Sequence, residues 1–472
     1  MNAELFIEGG WTTGESTVPL LDKYDGKPLA DVHVAGAAQV KAALRGLDAG
    51  WREHRLTAHQ RYTVLARASA LLAERREEFT GLVVRDTGFT VTDAEREVDR
   101  AVQTLLLCGE EARRLHGEMV PMEGAPGISG RYGFTLRHPL GVVVAITPFN
   151  SPLNTVAHKV GPALAAGNAV LLKPAEATPL TAAALVRLLL DAGLPAGLIA
   201  LVNGPGETVG QWLLDSPVPA FYAFTGSTAV GKHIRRSVGL RKSQLEMGGL
   251  SSTIVCADAG LEPAAGLCVN AAFRKAGQVC TSVQRLYVEA SVADEVGERI
   301  TALLAGRGVG DPYSRDTFVG PVISEPAAER IESWIGRARD GGATVVTGGT
   351  RRGTVVEPTV LSGVRSDMDV MCREIFGPVV TIRPFRALGE AIAEVNDTPY
   401  GLAAGIFTAD LRRALDAAEG LRMGSVHINE TSSSRVDLMP YGGVKSSGLG
   451  LEGPRYAVEE MTEQRLITIG RP

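Results

Sequence analysis

Between Gly141 and about residue 237 the sequence alternates short apolar runs with helix-length segments. That alternation limits the fold more than any other feature. Residues 141–146, Gly-Val-Val-Val-Ala-Ile, are apolar throughout, as a strand covered on both faces should be. Residues 169–172 form the next such run. Thr178-Pro179 reads as a helix start, with threonine as cap and proline in the first turn, where its missing N–H is no loss. That helix ends at Gly193, and residues 199–202 return to strand character. A second unit follows, with a helix after Gly206, a strand over 220–224 and a helix after Gly226. Two β-α-β units in series predict an α/β protein. Its centre is a Rossmann-like open parallel sheet that takes a nucleotide at the C-terminal ends of its strands.

The remainder is too long for one compact domain, since the chain has 472 residues. From Gly248 a second α/β region is expected. Its strands are placed over 253–256, 285–289, 379–384, 404–407 and 425–428, and helices begin near Ser291, Ser324 and Asp410. Ahead of the first unit, 56–88 is mostly helical, with Val64, Leu65, Ala68, Leu71 and Leu72 on one face. A second helix runs through 102–107 to Leu115. Residues 117–139, rich in Gly and Pro, read as a two-stranded arm with 131–138 as one strand. The tail over 459–469 is expected to pair with the arm of a neighbouring copy. The organisation predicted is a nucleotide-binding domain (1–117 and 140–247), a catalytic α/β domain (248–457), and a small β oligomerisation arm and tail (118–139 and 458–472). A homodimer or homotetramer follows from the arm.

Charge and cysteines narrow the function. A net charge of −5 and a pI near 6.0 speak against nucleic acid or an acidic membrane surface as partner. No apolar run approaches the roughly 20 residues of a membrane span. The first residues lack a basic and apolar leader. The five cysteines, Cys108, Cys256, Cys268, Cys280 and Cys372, are dispersed and make a poor disulfide framework. No cluster implies a metal. A reducing cytoplasm is the expected setting.

Chemistry concentrates at a few positions. Residues 262–276 look like an apolar helix broken by Gly277, with Cys280 on the turn that follows. A cysteine held at such a junction suits a nucleophile, and equally well a small buried hydrophobe. Glu246, in Leu-Glu-Met-Gly-Gly, ends a strand; it reads as a general base or as a surface glutamate before a turn. Asn150 ends the first strand in Thr-Pro-Phe-Asn and either donates to an oxyanion or caps its own turn. Lys173-Pro-Ala-Glu176 closes the second strand. A carboxylate there can hold ribose hydroxyls and repel a 2′-phosphate, which leans toward NAD over NADP. Phe224-Thr-Gly226-Ser227 lies between a strand and a helix and either faces a pyrophosphate or is a plain turn. The run Gly204-Pro-Gly206-Glu-Thr-Val-Gly210 is one residue too long for a dinucleotide fingerprint. Gly448-Leu-Gly450-Leu-Glu-Gly453 has the right spacing outside any β-α-β unit, and is set aside as a phosphate loop.

Together, Gly-Gln-Val-Cys280, Leu-Glu246-Met-Gly-Gly, Pro-Phe-Asn150, Lys173-Pro-Ala-Glu176, Phe-Thr-Gly226-Ser227 and Glu374-Ile-Phe376-Gly-Pro resemble the aldehyde dehydrogenase superfamily, in order and spacing, over nearly the whole chain. The resemblance implies Cys280 as nucleophile and Glu246 as base. It also implies an oxyanion hole from Asn150 and the Cys280 N–H. Lys159 and Glu463 match a pair assigned to proton relay. For NAD, with NADP also possible, it implies a site built from Ile146, Thr147, Pro148, Phe149, Asn150, Lys173, Ala175, Glu176, Gly206, Gly210, Phe224, Thr225, Gly226, Ser227, Val230, Glu246, Met247, Gly248, Cys280, Glu374 and Phe376. The reaction implied oxidises a small aldehyde through a Cys280 thiohemiacetal, with hydride passing to the cofactor, and hydrolyses the thioester to a carboxylic acid. Members that acylate coenzyme A generally lack the base, so Glu246 favours hydrolysis. The alternatives are a CoA-acylating semialdehyde dehydrogenase and a non-catalytic NAD-binding protein of the same fold.

Departures bear on the substrate. Leu250-Ser-Ser replaces the residues common after Gly249. Val279 is apolar where relatives acting on phosphonate- or phosphate-bearing aldehydes can carry a basic residue, a mild argument against the most obvious anionic substrates. Those relatives share the Ala157-His158-Lys159 and Arg435-Val-Asp-Leu-Met-Pro-Tyr patterns. His158, Val279, Thr281 and Arg435 are therefore the expected substrate residues. Arg435 either meets an anionic tail or pairs with Asp437 or another carboxylate.

Overall fold

The computed structural model describes residues 2–470. Its first body is built on an eight-stranded sheet. Five strands form the parallel core, in the spatial order Ile199–Leu201, Ala169–Lys173, Val142–Ile146, Pro219–Thr225, Lys242–Glu246. Valine-rich runs suit this position, because β-branched side chains pack well on a pleated surface covered on both sides. Val142, Val143, Val144 and Ala145 are all buried. The chain steps outward from Val142–Ile146 on one side, then returns to its other side at Pro219–Thr225. Strand order reverses there, and a crevice opens beyond the strand C-termini. The strand expectations for this body match the structure to within a residue or two.

The helix Asn154–Ala166 between the first two strands gave no amphipathic signal. All its residues except Thr155 are buried, so it has no polar face to read. Thr178 does not cap the Pro179–Asp191 helix. The Asp86 carboxylate takes that role, accepting from the N–H groups of Leu180 and Thr181 at 3.2 and 2.6 Å.

A second body carries a seven-stranded sheet. Its parallel centre runs Val379–Phe385, Arg285–Glu289, Ser252–Val255, Ala403–Phe407, Ser425–Ile428. The chain then goes back. Gly448–Leu449 pairs with Lys242–Glu246 at the edge of the first sheet. The Pro454–Glu460 helix follows, and Val458 and Met461 join the first core. The return thus spans the expected boundary at 457, with Gly448–Leu449 in the range expected for the catalytic domain and Val458 and Met461 in the range expected for the tail.

The tail also differs from expectation. Thr462–Gly470 pairs antiparallel with Arg131–Pro139 of its own chain, from Thr462 opposite Pro139 to Gly470 opposite Arg131. The preceding helix delivers the tail directly to that strand, and the tail is then the outer edge of a three-stranded sheet, paired on one side. The expected tail residues 471 and 472 lie outside the described residues. Among the described residues no helix is long and apolar enough to cross a membrane.

Candidate active site

Between the two bodies lies a cleft of about 490 Å³. Strand ends of the first sheet supply one wall through Ile146, Thr147, Pro148, Phe149, Asn150, Phe224 and Thr225. Ala175, Gly206, Gly226, Ser227 and Val230 extend that wall, and Glu246, Met247 and Gly248 form its base. From the second body come Val279, Cys280, Thr281, Glu374, Phe376, Arg435 and Tyr441.

The nucleophile candidate owes its position to local strain. The Leu261–Phe273 helix stops at Phe273, after which Lys275, Ala276 and Gly277 all take left-handed backbone, with φ of 53, 52 and 69°. Two such residues with side chains cost of order 1–3 kcal/mol each. Gly277 is required twice over: its φ is positive, and an added Cβ would lie 2.0 Å from the Gly377 carbonyl oxygen. A buried clamp holds the turn. Lys275 Nζ bonds the Glu97 carboxylate and donates to the Asn150 carbonyl at 2.9 Å. Glu97 also accepts from Leu153 N, Asn154 N and Ser151 Oγ at 2.9, 3.3 and 3.1 Å, anchoring the start of the Asn154–Ala166 helix. Neither Lys275 nor Glu97 was singled out in the sequence. The lysine stands five residues before Cys280, but its partner is 178 residues away.

Cys280 is half-buried, and its Sγ lies 2.8 Å from Tyr441 Oη. Burial pushes its thiol up, while the Tyr441 hydrogen bond and the Arg435 charge oppose that. Asn150 Nδ2 donates to the Gln278 carbonyl at 2.8 Å, which leaves one amide hydrogen to spare. The Cys280 N–H has no acceptor among the described residues, so two donors remain available beside the sulfur.

Glu246 is buried with both carboxylate oxygens free of hydrogen bonds. Burial, then the nearby Glu452, raise its pKa well above the ordinary value; Lys159 and Arg435 pull the other way. The reverse holds for Glu452: burial would raise it, but Lys159 and Arg435 outweigh burial and keep it ionised. Lys159 Nζ meets Glu452 Oε1 at 2.9 Å, and Arg435 Nη2 meets Glu452 Oε2 at 2.9 Å. Lys159 therefore does not meet Glu463. That residue is half-exposed on the tail strand, opposite His138, because the Pro454–Glu460 helix carries the chain away. Glu452 sits inside the glycine run 448–453.

Several features fit a dinucleotide. Ser227 caps the Thr228–Ser237 helix, accepting from Val230 N, and its neighbours face the cleft. The Thr147 hydroxyl, in the cleft wall, is buried without a partner. Glu374, its pKa raised by burial to about 7, accepts from Gly249 N at 3.1 Å. Gly248 makes room for it, since an added Cβ there would lie 2.3 Å from Glu374 Oε2. Phe376 meets Phe149 edge-on at 5.7 Å between ring centroids. Lys173, Glu176 and Gly210 lie off the cleft wall. Lys173 is buried, and burial lowers its pKa. Glu176 Oε1 accepts from Gly206 N at 3.0 Å, leaving its second oxygen free.

Of the expected substrate residues, Val279, Thr281 and Arg435 line the cleft and His158 does not. His158 is buried behind it, held by Asp437 Oδ1 at 2.8 Å. Asp437 also receives a two-pronged bond from Arg100, at 2.7 and 3.1 Å. Arg435 pairs with Glu452 rather than Asp437. Arg274 belongs to none of the sequence motifs. This half-buried guanidinium lines the cleft and donates to Ser433 Oγ at 2.7 Å, with no carboxylate partner among the described residues. Burial lowers its pKa, opposed by Asp93.

Strand order, the crevice and this cluster define a nucleotide-dependent enzyme with a cysteine in the cleft. The aldehyde dehydrogenase family matches residues 11–467, and the chain belongs to that family. It is an NAD(P)-dependent oxidoreductase that converts an aldehyde to a carboxylic acid. A 3-sulfolactaldehyde dehydrogenase of Priestia aryabhattai is 45% identical over 466 residues, covering 98% of this chain and 97% of that one. NADP-dependent glyceraldehyde-3-phosphate dehydrogenase from Bacillus halodurans C-125, solved with NADP, superposes with a TM-score of 0.97 at 34% identity, covering 100% and 99% of the two chains. Aldehyde dehydrogenase 21 from Physcomitrella patens, solved with the reaction product succinate, gives 0.96 at 34% identity, covering 99% and 98%.

Proposed function

We propose that this enzyme oxidises a short aldehyde bearing an acidic group, a carboxylate or a sulfonate, at its far end. The observation that carries this reading is Arg274. It is a cleft-lining guanidinium without a salt-bridged carboxylate among the described residues, and such a charge is costly unless something anionic pairs with it. Thr281 Oγ1 and Ser433 Oγ lie 3.3 Å apart beside it and extend the polar end of the cleft. The apolar Val279 does not oppose an anion when the basic group comes from Arg274. The sulfonated and succinate-yielding relatives support the same class.

In the mechanism we propose, the Cys280 thiolate adds to the aldehyde carbon. The spare Asn150 amide hydrogen and the Cys280 N–H receive the oxyanion, a contribution worth about 3 kcal/mol per donor. The cleft wall from Ile146 to Asn150, with Gly226, Ser227 and Glu374, would hold NAD(P), which would supply the acceptor for the hydride leaving the former aldehyde carbon. Glu246 then takes a proton from water, hydroxide adds to the thioester, the C–S bond breaks and the carboxylic acid departs. The relay role implied for Lys159 and Glu463 is assigned instead to Lys159 and Glu452, which face Glu246.

Arg274→Leu tests the substrate class. The parent enzyme is expected to prefer succinic semialdehyde to butanal. The variant is expected to lose about 10- to 150-fold in kcat/KM toward the anionic aldehyde, with less than about a threefold change toward butanal. Equal use of both aldehydes by the parent would end this reading.

Glu176 is proposed to favour NAD through its free carboxylate oxygen. In Glu176→Ser, binding of NADP is expected to tighten and binding of NAD to weaken, each by about tenfold. Fluorescence titration of each nucleotide, without aldehyde, reads both. Unchanged affinities would remove Glu176 from the site.

A further inference from the structure

Tyr441 carries a hydroxyl that its surroundings otherwise leave unserved. The residue is buried, and Cys280 Sγ, at 2.8 Å, is the hydroxyl's one hydrogen-bond partner among the described residues. Leaving a phenol O–H unbonded in an interior costs free energy, so its placement against a sulfur needs a reason. Tyr441 is held by its backbone and by its ring face. Its backbone exchanges hydrogen bonds with Glu452, Tyr441 N to Glu452 O at 3.1 Å and Glu452 N to Tyr441 O at 2.6 Å. The Arg435 guanidinium lies over the ring face, 3.7 Å from the centroid. Arg435 is itself tied to the Glu452 carboxylate at 2.9 Å. The triangle Tyr441–Arg435–Glu452 thus holds one O–H toward one sulfur, and a cation on the ring face makes that phenol a stronger donor.

We propose that Tyr441 is a further catalytic residue, the hydrogen-bond donor that stabilises and aims the Cys280 thiolate. The proposal rests on Cys280 being the nucleophile. Ionisation of Cys280 releases the thiol proton to water in the open cleft. Tyr441 keeps its own proton and gives only a hydrogen bond, which the sulfur surrenders as the C–S bond forms. Burial holds the phenol well above its ordinary pKa, as a donor must be. The other charged groups acting on Cys280 are Arg435, Glu374, Glu246 and Arg274. Arg435 favours the thiolate and the two carboxylates oppose it. The phenol is therefore the contribution that can be removed while that charge set stays in place.

The test is alkylation of Cys280 by iodoacetamide as a function of pH, followed by peptide mass spectrometry. Tyr441→Phe keeps the ring and its stacking. Its alkylation midpoint is expected to rise by about one pH unit, slowing the reaction near neutrality about tenfold, with thermal midpoint and NAD binding unchanged. A ring-fluorinated tyrosine at position 441, a stronger donor of nearly the same shape, is expected to move the midpoint down. It keeps the question answerable if Tyr441→Phe folds poorly. Midpoints that coincide with the parent's in the folded variants would overturn the proposal. Because alkylation needs neither aldehyde nor turnover, that failure is distinct from failure of the nucleophile assignment, which activity in Cys280→Ala would reveal.

Discussion

Cys280→Ala is expected to lose aldehyde-dependent NAD(P)H formation by about 10⁴-fold or more, the scale seen when a covalent nucleophile is deleted. The measurement is absorbance of the reduced cofactor, with nucleotide binding as the control for folding. No other cysteine is placed to substitute. Cys108 and Cys268 are buried in hydrophobic cores, where the Cys268 thiol is pushed up to about 12. Cys256 is buried too, with its thiol raised to about 11. Cys372 is exposed but outside the cleft. Retained activity in Cys280→Ala would therefore remove covalent catalysis from the mechanism, since no second thiol lines the site.

Glu246→Gln is expected to split the reaction. In the proposed mechanism acylation uses the Cys280 thiolate and not Glu246, so one equivalent of reduced cofactor should still form in a burst. Hydrolysis of the thioester needs the base, so steady turnover should then fall by about 10²–10⁴-fold. Rapid mixing followed by steady-state recording separates the two phases. The parent's pH dependence follows from the same group. Burial raises the Glu246 pKa, so the working carboxylate form is scarce in acid, and the steady rate should climb as pH passes through that raised value. In Glu246→Gln this climb in the slow phase should be absent. A variant with neither burst nor turnover would show that Glu246 is needed before hydrolysis.

Much of this arrangement was legible because it is local. The strands 285–289 and 425–428 follow from short runs of residues, and Cys280, Asn150 and Glu246 each sit in a short segment that marks them as candidates, which the fold gathers in one cleft. What escaped depends on encounters between distant segments. Glu97 and Lys275 look like ordinary helix-surface residues until the fold sets them together. Arg274 stands beside the nucleophile turn, but only the tertiary structure shows that it makes no salt bridge to a carboxylate among the described residues. The family resemblance implies a Lys159–Glu463 pair. The fold instead brings in Glu452, from a glycine run whose spacing pointed toward phosphate. His158 shares its helix with Lys159 yet is absorbed by Asp437, an ion-pair choice that no periodicity reports.

The return of the chain from the second body to the first has a consequence for how the protein is made. The second body is an insertion within the first, and its entry and exit lie side by side. Met247 N donates to Ser447 O at 2.9 Å, and Ser447 Oγ donates to Gly248 O at 2.7 Å. The edge strand Gly448–Leu449, the Glu452 carboxylate and the Pro454–Glu460 helix all leave the ribosome after the whole insertion. Until then the first body lacks its sheet edge, and buried Lys159 lacks its counter-charge. The first body is thus an unfinished fold during most of its own synthesis.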